Sequence, residues 1–387
     1  MTNVVETYKN RPTRAEISMN NLRNNLSIVQ SLIGSDVKIM AMVKANAYGH
    51  GLFEISTELL KHGVSYLGVA FLEEGIYLRK CGITAPILAL GAINVDQISE
   101  FILNDIEITS SSFDKSIAIA KVAKEMNKVA TVHLKIDTGM ERIGVHWYNA
   151  DRFIEQTFQL DSLKIKGICT HFAKAETDKD FTVQQLSRFD SVINLIVKRN
   201  LPTGLIHCAN SAGVINYKAS HFSMVRPGIV LYGYNPNGYN PNEVFNGMKL
   251  KPVMTLKTKV AFFKVVPPNN GISYNHMYRT KEQTRVVTLP IGYGDGYFRH
   301  LSNKGEVAIR RKKYPIVGAV CMDQCMVDIG MDGTAYNGDD VLLFGEMDGL
   351  SIPLESLCEK AGTITYEFLC GITSRVPRIY IDGSQTT

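Results

Sequence analysis

The chain has 387 residues, a length typical of two domains or of one large barrel with an addition. Hydrophobic residues make up 45% and charged residues 20%, as in a globular protein with a core, and no run reaches the roughly 18 apolar residues that a membrane span needs. The formal net charge of +5 is spread along the chain apart from RRKK at 310–313, which a solvated hairpin explains better than a nucleic-acid patch does.

The seven cysteines have no regular spacing, and Cys321 and Cys325 lack the second pair that would complete a zinc site. No two histidines have metal-ligand spacing either, so we predict reduced thiols and no catalytic metal. The N-terminal stretch MTNVVETYKNRPTRAE has no apolar segment of the kind found in secretory signals. These features predict a cytoplasmic protein without a membrane partner.

Short apolar runs alternate with longer amphipathic segments from residue 37 to about residue 232. A helix, MNNLRNNLSIVQSLIG, is predicted before the first run, and FEISTELLKHG, DKSIAIAKVAKEMN and VQQLSRFDSVINLIVKRN are predicted helices between runs. Eight such units in about 200 residues favour a (β/α)₈ barrel over an open doubly wound sheet. The predicted strands lie at 37–43, 64–70, 86–91, 106–109, 129–136, 163–170, 203–209 and 223–233.

The sequence changes character near residue 236, where NPNGYNPNEVFNG is rich in turn-forming residues. Alternating runs then follow, among them VMTLKTKVAFFKVV, TRVVTLPIG and DDVLLFGE, with one short helix, LESLCEKAG. This alternation is typical of half-buried antiparallel strands. We therefore predict a barrel domain over 12–238 and a mostly-β domain over 239–387, with which residues 1–11 could also pack.

Polar residues follow several of the predicted barrel strands. The active site of such a barrel lies at the C-terminal ends of its strands. Residues far apart in sequence are therefore expected to converge on one rim: Lys44, Lys135, Asp137, Arg142, His171, Asn210, Ser211, Arg226, Pro227 and Gly228.

Lys44 is the most informative of these residues. A lysine that loses hydration at the mouth of a barrel should have a lowered pKa, which makes its amine available as a nucleophile or a base. A lysine that reaches past the rim to solvent is an equally good explanation of the position alone. The small residues of ANAYGHG, with the hydroxyl of Tyr48, favour a ligand site.

Anion-binding groups are also expected at the rim. Ser211 and Gly228 suit a phosphate, although ANSAG and RPGI are more often plain turn sequences. Arg142 is a candidate clamp for a carboxylate, or else a surface arginine in a loop. GYGDG at 292–296 lacks the strand and helix context of a nucleotide-binding loop and is interpreted as a turn, and no GxSxG motif is present.

The motif VKANAYGHG resembles the cofactor-lysine motif of the bacterial alanine racemases, a family of fold-type III enzymes that use pyridoxal phosphate (PLP). The resemblance continues in the same order over about residues 11–381. Its blocks are HLKIDTGMERIG, THFAKAE, HCANSAG, MVRPGIVLYG, GISYN, LPIGYGDGY, VGAVCMDQCMVDIG, TITYE and SRVPRIY. The family fold, a (β/α)₈ barrel followed by a β domain, agrees with the pattern of predicted elements.

The resemblance implies a role for each matching residue. Lys44 would carry PLP covalently and act as one catalytic base, and Tyr274 would be the second base, supplied by the partner subunit of a head-to-tail homodimer with two shared sites. The phosphate would be held by Tyr48, Ser211, Gly228, Ile229 and Tyr366, with Asn210 in the same cofactor-binding set. Arg226 would face the pyridine nitrogen, and His171 would bridge it to Tyr274.

The substrate would be bound through its carboxylate. By the resemblance, Arg142 and the backbone of Met322 would bind this group, and Lys135 matches a position that often carries a carbamate bracing Arg142. Tyr293 and Asp323 would line the entrance. The implied function is interconversion of L- and D-alanine, which supplies D-alanine for peptidoglycan.

The sequence departs from the family pattern beside the second base and beside Arg142. Asn275, His276 and Met277 follow Tyr274 where glycine is usual first, Glu141 stands beside Arg142, and Gly294 replaces a common alanine. The bulk of Tyr366 favours a small side chain in the substrate. A serine or broad-specificity racemase, a PLP-dependent decarboxylase and, least compatible with the length, a PLP carrier protein remain alternatives.

Overall fold

The computed structural model describes residues 10–382, which fold into two compact units. One unit comprises Leu22–Ala47 and Gly51–Lys251, and the other comprises the described residues up to Asn21, Tyr48–His50 and those from Pro252 on. The possibility that residues 1–11 pack with the β domain lies largely outside the described residues; of that segment, Arg11 donates to the buried carboxylate of Asp295 at 2.7 Å. No described helix is long and apolar enough to cross a membrane.

The first unit is built on eight parallel strands, as the sequence predicts. The eighth strand pairs with the first, and the seventh contacts the eighth through the backbone bonds Ser223 N to Ile206 O and Arg226 N to Ala209 O. The barrel is therefore nearly closed. In order, the strands are Lys38–Met42, Tyr66–Val69, Ile87–Ala89, Glu107–Ser110, Ala130–Asp137, Leu163–Cys169, Leu205–His207 and Met224–Val225, with Val145–His146 added beside the fifth.

The last predicted strand is the one that differs most. The run 223–233 forms only a two-residue strand, and Ile229–Tyr232 is a 3-10 turn. Pro227 and Gly228 lie between them, and proline cannot donate to a strand ladder.

Helices alternate with the barrel strands and bury one apolar face each. Several of them start at side-chain caps: Ser112 accepts from Lys115 N, Asp178 accepts from Phe181 N, and Asn210 accepts from Gly213 N. The helices of this region are Met19–Leu32, Leu52–Lys61, Leu72–Lys80, Ile98–Leu103, Phe113–Glu125, Ala150–Phe158, Lys179–Lys198 and Ser211–Asn216.

The second unit is mostly β, which confirms the predicted fold class. Its main sheet also contains the strand Arg14–Ser18, which pairs antiparallel with Met254–Lys259 and was not predicted. The strand Arg378–Ile381 and a helix, Thr365–Gly371, were also missed. The other elements are Phe262–Val266, Gly271–Ile272, Tyr278–Arg279, Thr284–Leu289, Glu306–Ile309, Lys312–Val317, Cys325–Asp328, Asp340–Met347, Leu350–Ile352 and the helix Leu354–Ala361.

The basic run at 310–313 belongs to a hairpin. Ile309 pairs with Lys312, and Arg310 and Arg311 form the two-residue turn with positive φ values of 47° and 63°. The hairpin interpretation is therefore confirmed.

Candidate active site

Lys44 lies where the first barrel strand ends. The backbone of the preceding residue, Val43, is still bonded to Gly68 O of the second strand at 2.9 Å, so the base of the lysine is held in the barrel. Its side chain is partly buried. This is the position from which an amine reaches the C-terminal rim.

The backbone after Lys44 is strained. Ala45, Asn46, Ala47 and Tyr48 all have φ between 53° and 55°, forming a left-handed turn without a glycine. Such residues cost roughly 1–2 kcal/mol each. Three bonds hold the turn: Ala47 N to Val43 O at 2.8 Å, Gly51 N to Asn46 O at 3.0 Å, and Leu52 N to Asn46 Oδ1 at 2.9 Å. A costly conformation held in this way beside Lys44 is typical of a functional site.

Ser211 organises the loop after the eighth strand. Its buried Oγ accepts from Gly228 N at 2.9 Å and from Val230 N at 3.3 Å. The neighbouring Asn210 caps the short helix Ser211–Asn216 by accepting from Gly213 N at 2.8 Å. Two chain segments rich in backbone N–H groups are thereby joined near Ile229, an arrangement suited to a phosphate.

Arg226 is a buried cation, only 3% exposed. Its NH1 donates to His207 Nδ1 at 2.8 Å and to His207 O at 2.7 Å. Its NH2 donates to Thr170 O at 2.7 Å and, at 3.2 Å, to His171 Nδ1 and Cys208 O. All of these bonds use the terminal nitrogens. No bond to another of the described residues uses Nε, so one donor of the fork is left for a ligand.

The groups around His171 are positively charged. Burial, followed by the charges of Arg226, Lys135, Arg142 and Lys44, holds the pKa of His171 well below its usual value. The imidazole is therefore neutral, and because Nδ1 accepts from Arg226, its proton is on Nε2.

Lys135 is 6% exposed and lies in the same positive field. Burial first, and also the charges of Arg226 and Arg142, lower the pKa of its amine to about 8, against an opposing effect of Cys169. Within residues 10–382, none of Lys135, Arg142 and Arg226 forms an ion pair with a carboxylate. A cationic rim of this kind suits an anionic ligand.

Asp137 shapes the loop that carries Arg142. Its carboxylate accepts from Gly139 N at 2.8 Å, Met140 N at 2.9 Å and Arg142 N at 3.3 Å. Burial opposes its ionisation, but the backbone donors prevail and hold its pKa below the usual value. Glu141 contacts His146 Nε2 at 2.8 Å.

Tyr48 and Tyr366 are neighbours in the second unit. Their ring centroids are 6.1 Å apart, and Tyr48 is buried. Burial, followed by Tyr366 and Cys370, raises the pKa of the Tyr48 hydroxyl far above its usual value. Tyr48 is therefore a neutral hydrogen-bond donor, as a phosphate contact requires.

Tyr274 lies on an exposed turn of the second unit, and 70% of the residue is exposed. Ser273, Asn275 and His276 around it all have positive φ. The turn is held by Ser273 Oγ, which donates to Ala319 O at 2.9 Å. Gly271 is required there, because a Cβ would lie 2.2 Å from the ring of His276.

Met322, Tyr293 and Asp323 lie together in the same unit. The carbonyl of Met322 accepts from Gly294 N at 2.9 Å, and Asp323 pairs with Arg375 at 2.7 Å. Tyr293 starts a 3-10 turn that ends at the fully buried Asp295, so GYGDG is the turn that the sequence indicates. Sequence reasoning missed Asp295, whose carboxylate forms salt bridges with Arg11 and Arg375.

Family models cover both halves of the chain. "Alanine racemase, N-terminal domain" matches residues 17–236, and "Alanine racemase, C-terminal domain" matches residues 253–380. The chain belongs to the alanine racemase family. The members of this family are PLP-dependent isomerases, and the resemblance in sequence is thereby confirmed.

Individual alanine racemases match over nearly their whole length. The chain is 42% identical to the alanine racemase of Halothermothrix orenii over 96% of this chain and 97% of that protein. The solved alanine racemase of Clostridium difficile 630 has a TM-score of 0.89 and 38% identity, covering 96% of both chains. That of Bartonella henselae, described with covalently bound pyridoxal phosphate, has a TM-score of 0.85 and 28% identity, covering 96% of this chain and 99% of that one.

The residues of the rim fit this cofactor. The fold family implies an aldehyde, a phosphate and a ring nitrogen, and the rim offers an amine on Lys44, backbone donors around Ser211 and an uncommitted Nε on Arg226. A carboxylate at the position of Arg226 would accept a hydrogen bond from a protonated ring nitrogen and so favour that form, whereas a guanidinium has only donors.

Proposed function

We propose that this protein interconverts L- and D-alanine, with Lys44 and Tyr274 as two bases on opposite faces of the substrate. The observation that carries the proposal is the cluster of cations around a neutral His171, which suits both the cofactor phosphate and the substrate carboxylate. The matches to alanine racemases support the choice of substrate.

Racemisation removes a proton from one face of Cα and returns one to the other. Two opposed bases do this without rotation of the substrate. When bound, PLP supplies the electron sink for the carbanion. Lys44 Nζ would take or return the proton on one face, and Tyr274 Oη would do so on the other.

The other residues bind and orient. Arg142, on the loop shaped by Asp137, and the backbone of Met322 would bind the substrate carboxylate. Arg226 would donate from Nε to the ring nitrogen, keeping its own proton, which leaves that nitrogen unprotonated. Tyr48, Asn210, Ser211, Gly228, Ile229 and Tyr366 would hold the phosphate end, and Tyr293 and Asp323 would line the entrance.

Lys135 is proposed to carry a carbamate. Carbamate formation joins a neutral amine to carbon dioxide and releases a proton, so the lowered pKa of this lysine favours it. The resulting anion would neutralise part of the field that Arg142 and Arg226 create and brace Arg142.

The exposed position of Tyr274 supports a shared site. A base that is 70% exposed suits a residue offered to the active site of another subunit, so we infer a head-to-tail homodimer. We also propose that the enzyme works in the cytoplasm and supplies D-alanine for peptidoglycan.

The direct test is incubation of the PLP-loaded protein with L-alanine in deuterated water, followed by chiral analysis and proton NMR. D-alanine with deuterium at Cα is expected. Release of carbon dioxide instead would point to a decarboxylase, and PLP binding without exchange on alanine or serine would point to a carrier. Faster turnover of serine than of alanine would show that serine, and not alanine, is the preferred substrate.

A further inference from the structure

A row of buried polar side chains crosses the barrel interior and ends at Arg226. Glu107 Oε2 lies 2.9 Å from His133 Nε2, and His133 Nδ1 lies 2.8 Å from His207 Nε2. The last link is Arg226 NH1 to His207 Nδ1 at 2.8 Å. All four residues are at most 5% exposed.

The position of every proton in this row follows from its two ends. A guanidinium only donates, so His207 Nδ1 accepts and the proton of His207 is on Nε2. That proton faces His133 Nδ1, which must accept, so the proton of His133 is on Nε2 and is donated to the Glu107 carboxylate. Each imidazole is neutral and has one allowed tautomer. Burial, followed by the charge of Arg226, holds the pKa of His207 well below its usual value, in agreement with this assignment.

The strands are built to admit the row. His133 lies opposite Gly167 in the fifth and sixth strands, and a Cβ on Gly167 would lie 2.5 Å from His133 Nδ1. Glu107 Oε1 also accepts hydrogen bonds from Lys166 Nζ at 2.6 Å and from Tyr66 Oη at 3.3 Å. The carboxylate is thus held on both sides, and apart from the Nε of Arg226 each polar side-chain group in the row has a partner.

Such a row is a poor way to gain stability. Burying charged and polar groups often contributes no more than apolar packing of the same volume. A fully satisfied network does fix orientation, because rotating one member breaks bonds at both of its ends. The member at the rim is the residue whose Nε is left for a ligand.

We propose that Glu107, His133 and His207 are positioning residues that fix the plane of the Arg226 guanidinium and so aim its Nε. Glu107 acts by accepting the His133 proton, which favours the same tautomers that the donor-only Arg226 requires, although it lies three hydrogen bonds from Arg226. The identity of the ligand at Nε, the ring of PLP, rests on the proposed function. The orientation of Nε by the row does not depend on that function.

The first measurement is made on the parent protein. Nitrogen NMR of the ¹⁵N-histidine-labelled protein reports which ring nitrogens are protonated, with resonances assigned through His133→Gln and His207→Gln. Both histidines are expected to be neutral with the proton on Nε2. A cationic ring, or a proton on Nδ1 of His207, would overturn the proposal. This readout stands even if the protein does not racemise alanine.

The second measurement compares Glu107→Gln with Lys166→Gln. Glutamine can donate to His133, which permits the reversed tautomers at the cost of the bond from Arg226 to His207 Nδ1. Lys166→Gln changes the other, partly exposed partner of Glu107 and leaves the contact between Glu107 and His133. Glu107→Gln is expected to give mixed tautomers at His207, a changed absorption spectrum of bound PLP and PLP binding about tenfold weaker, as for outer partners of ligating groups. Lys166→Gln should match the parent.

Identical tautomers, spectra and PLP affinity in the two variants would contradict the positioning role. If Glu107→Gln does not fold, His133→Gln replaces it, because its amide cannot relay a proton position from Glu107 to His207. If the parent binds no PLP, the proposed function fails, and the tautomers alone decide the positioning claim.

Discussion

At the rim of the barrel Arg226 is 3% exposed, whereas Tyr274 in the second unit is 70% exposed. The two terminal nitrogens of Arg226 are fully engaged by bonds to two histidines and three carbonyls, while Tyr274 lies on a turn in which three neighbours have positive φ. At the rim, burial and hydrogen bonds fix the orientation of the side chain. On the turn, the backbone conformation fixes the position of Tyr274. Under the proposed assignment of Lys44 and Tyr274 as the two bases, this difference favours a site shared with a second copy.

The largest effect is expected at Lys44, the proposed base at the barrel rim. Lys44→Ala should lower racemisation by about 10⁴-fold or more, because it removes both the cofactor's attachment point and one proton-transfer group. Steady-state rates in both directions measure this. Lys38→Ala, on the exposed start of the same strand, is the matched control and should retain parental rates. Comparable losses in both variants would remove Lys44 from the active site.

Tyr274→Phe comes next, with a loss of about 10²- to 10⁴-fold. The variant should keep bound PLP and still exchange the α-proton of one alanine enantiomer with deuterated water, because Lys44 serves that face alone. Tyr278→Phe is the control: its hydroxyl donates to Asp328 at 3.1 Å, so it should lose stability rather than exchange. Unchanged exchange of both enantiomers in Tyr274→Phe would contradict the two-base assignment.

The burial of Lys135 at the rim is tested by the pH dependence of the free energy of unfolding. Because its folded pKa of about 8 lies below that of an unfolded lysine, the unfolded state binds more protons between these values, and stability rises as pH increases through this interval. Near pH 7 the cation costs the folded state up to about 3 kcal/mol. Lys135→Met should therefore stabilise the protein near pH 7, with a smaller gain near pH 10.

Urea unfolding in buffers free of carbon dioxide measures this difference, with the exposed Lys128→Met as the control. Added bicarbonate should stabilise the parent but not Lys135→Met, because only the parent can form the carbamate. Equal responses of both proteins to pH and to bicarbonate would exclude a buried, readily neutralised Lys135.

The smallest effect is expected from Glu141, which the sequence places beside Arg142. The carboxylate bonds to His146 instead, and this bond raises the pKa of His146. Glu141→Gln should bring the His146 pKa, followed by proton NMR, back toward its ordinary value and change racemisation by less than about twofold, because exposed pairs are weak. A large loss of activity would mean that Glu141 acts on the rim.

Periodicity in the sequence was sufficient for the barrel, because each predicted run contains or overlaps a strand. It failed where local geometry overrides composition. The left-handed turn after Lys44 has no glycine at Ala45–Tyr48 to signal it, and the strand Arg14–Ser18 depends on pairing with Met254–Lys259, some 240 residues away.

The row from Glu107 to Arg226 was missed for a different reason. Its members are 26, 74 and 19 residues apart along the chain, so no local motif contains them. A signal existed: a glutamate and two histidines stand inside apolar runs whose other residues fit buried strands. A buried polar residue in such a run requires a partner, and strand order decides which one.

Complementation between subunits tests the central claim most directly. Lys44→Ala and Tyr274→Phe chains carrying different affinity tags would be co-expressed and the heterodimer isolated. If each site takes Lys44 from one chain and Tyr274 from the other, one of the two sites is intact, and the heterodimer should have about half of the parental activity. Activity no higher than that of the two variant homodimers, or failure to form a heterodimer at all, would contradict a site shared between subunits.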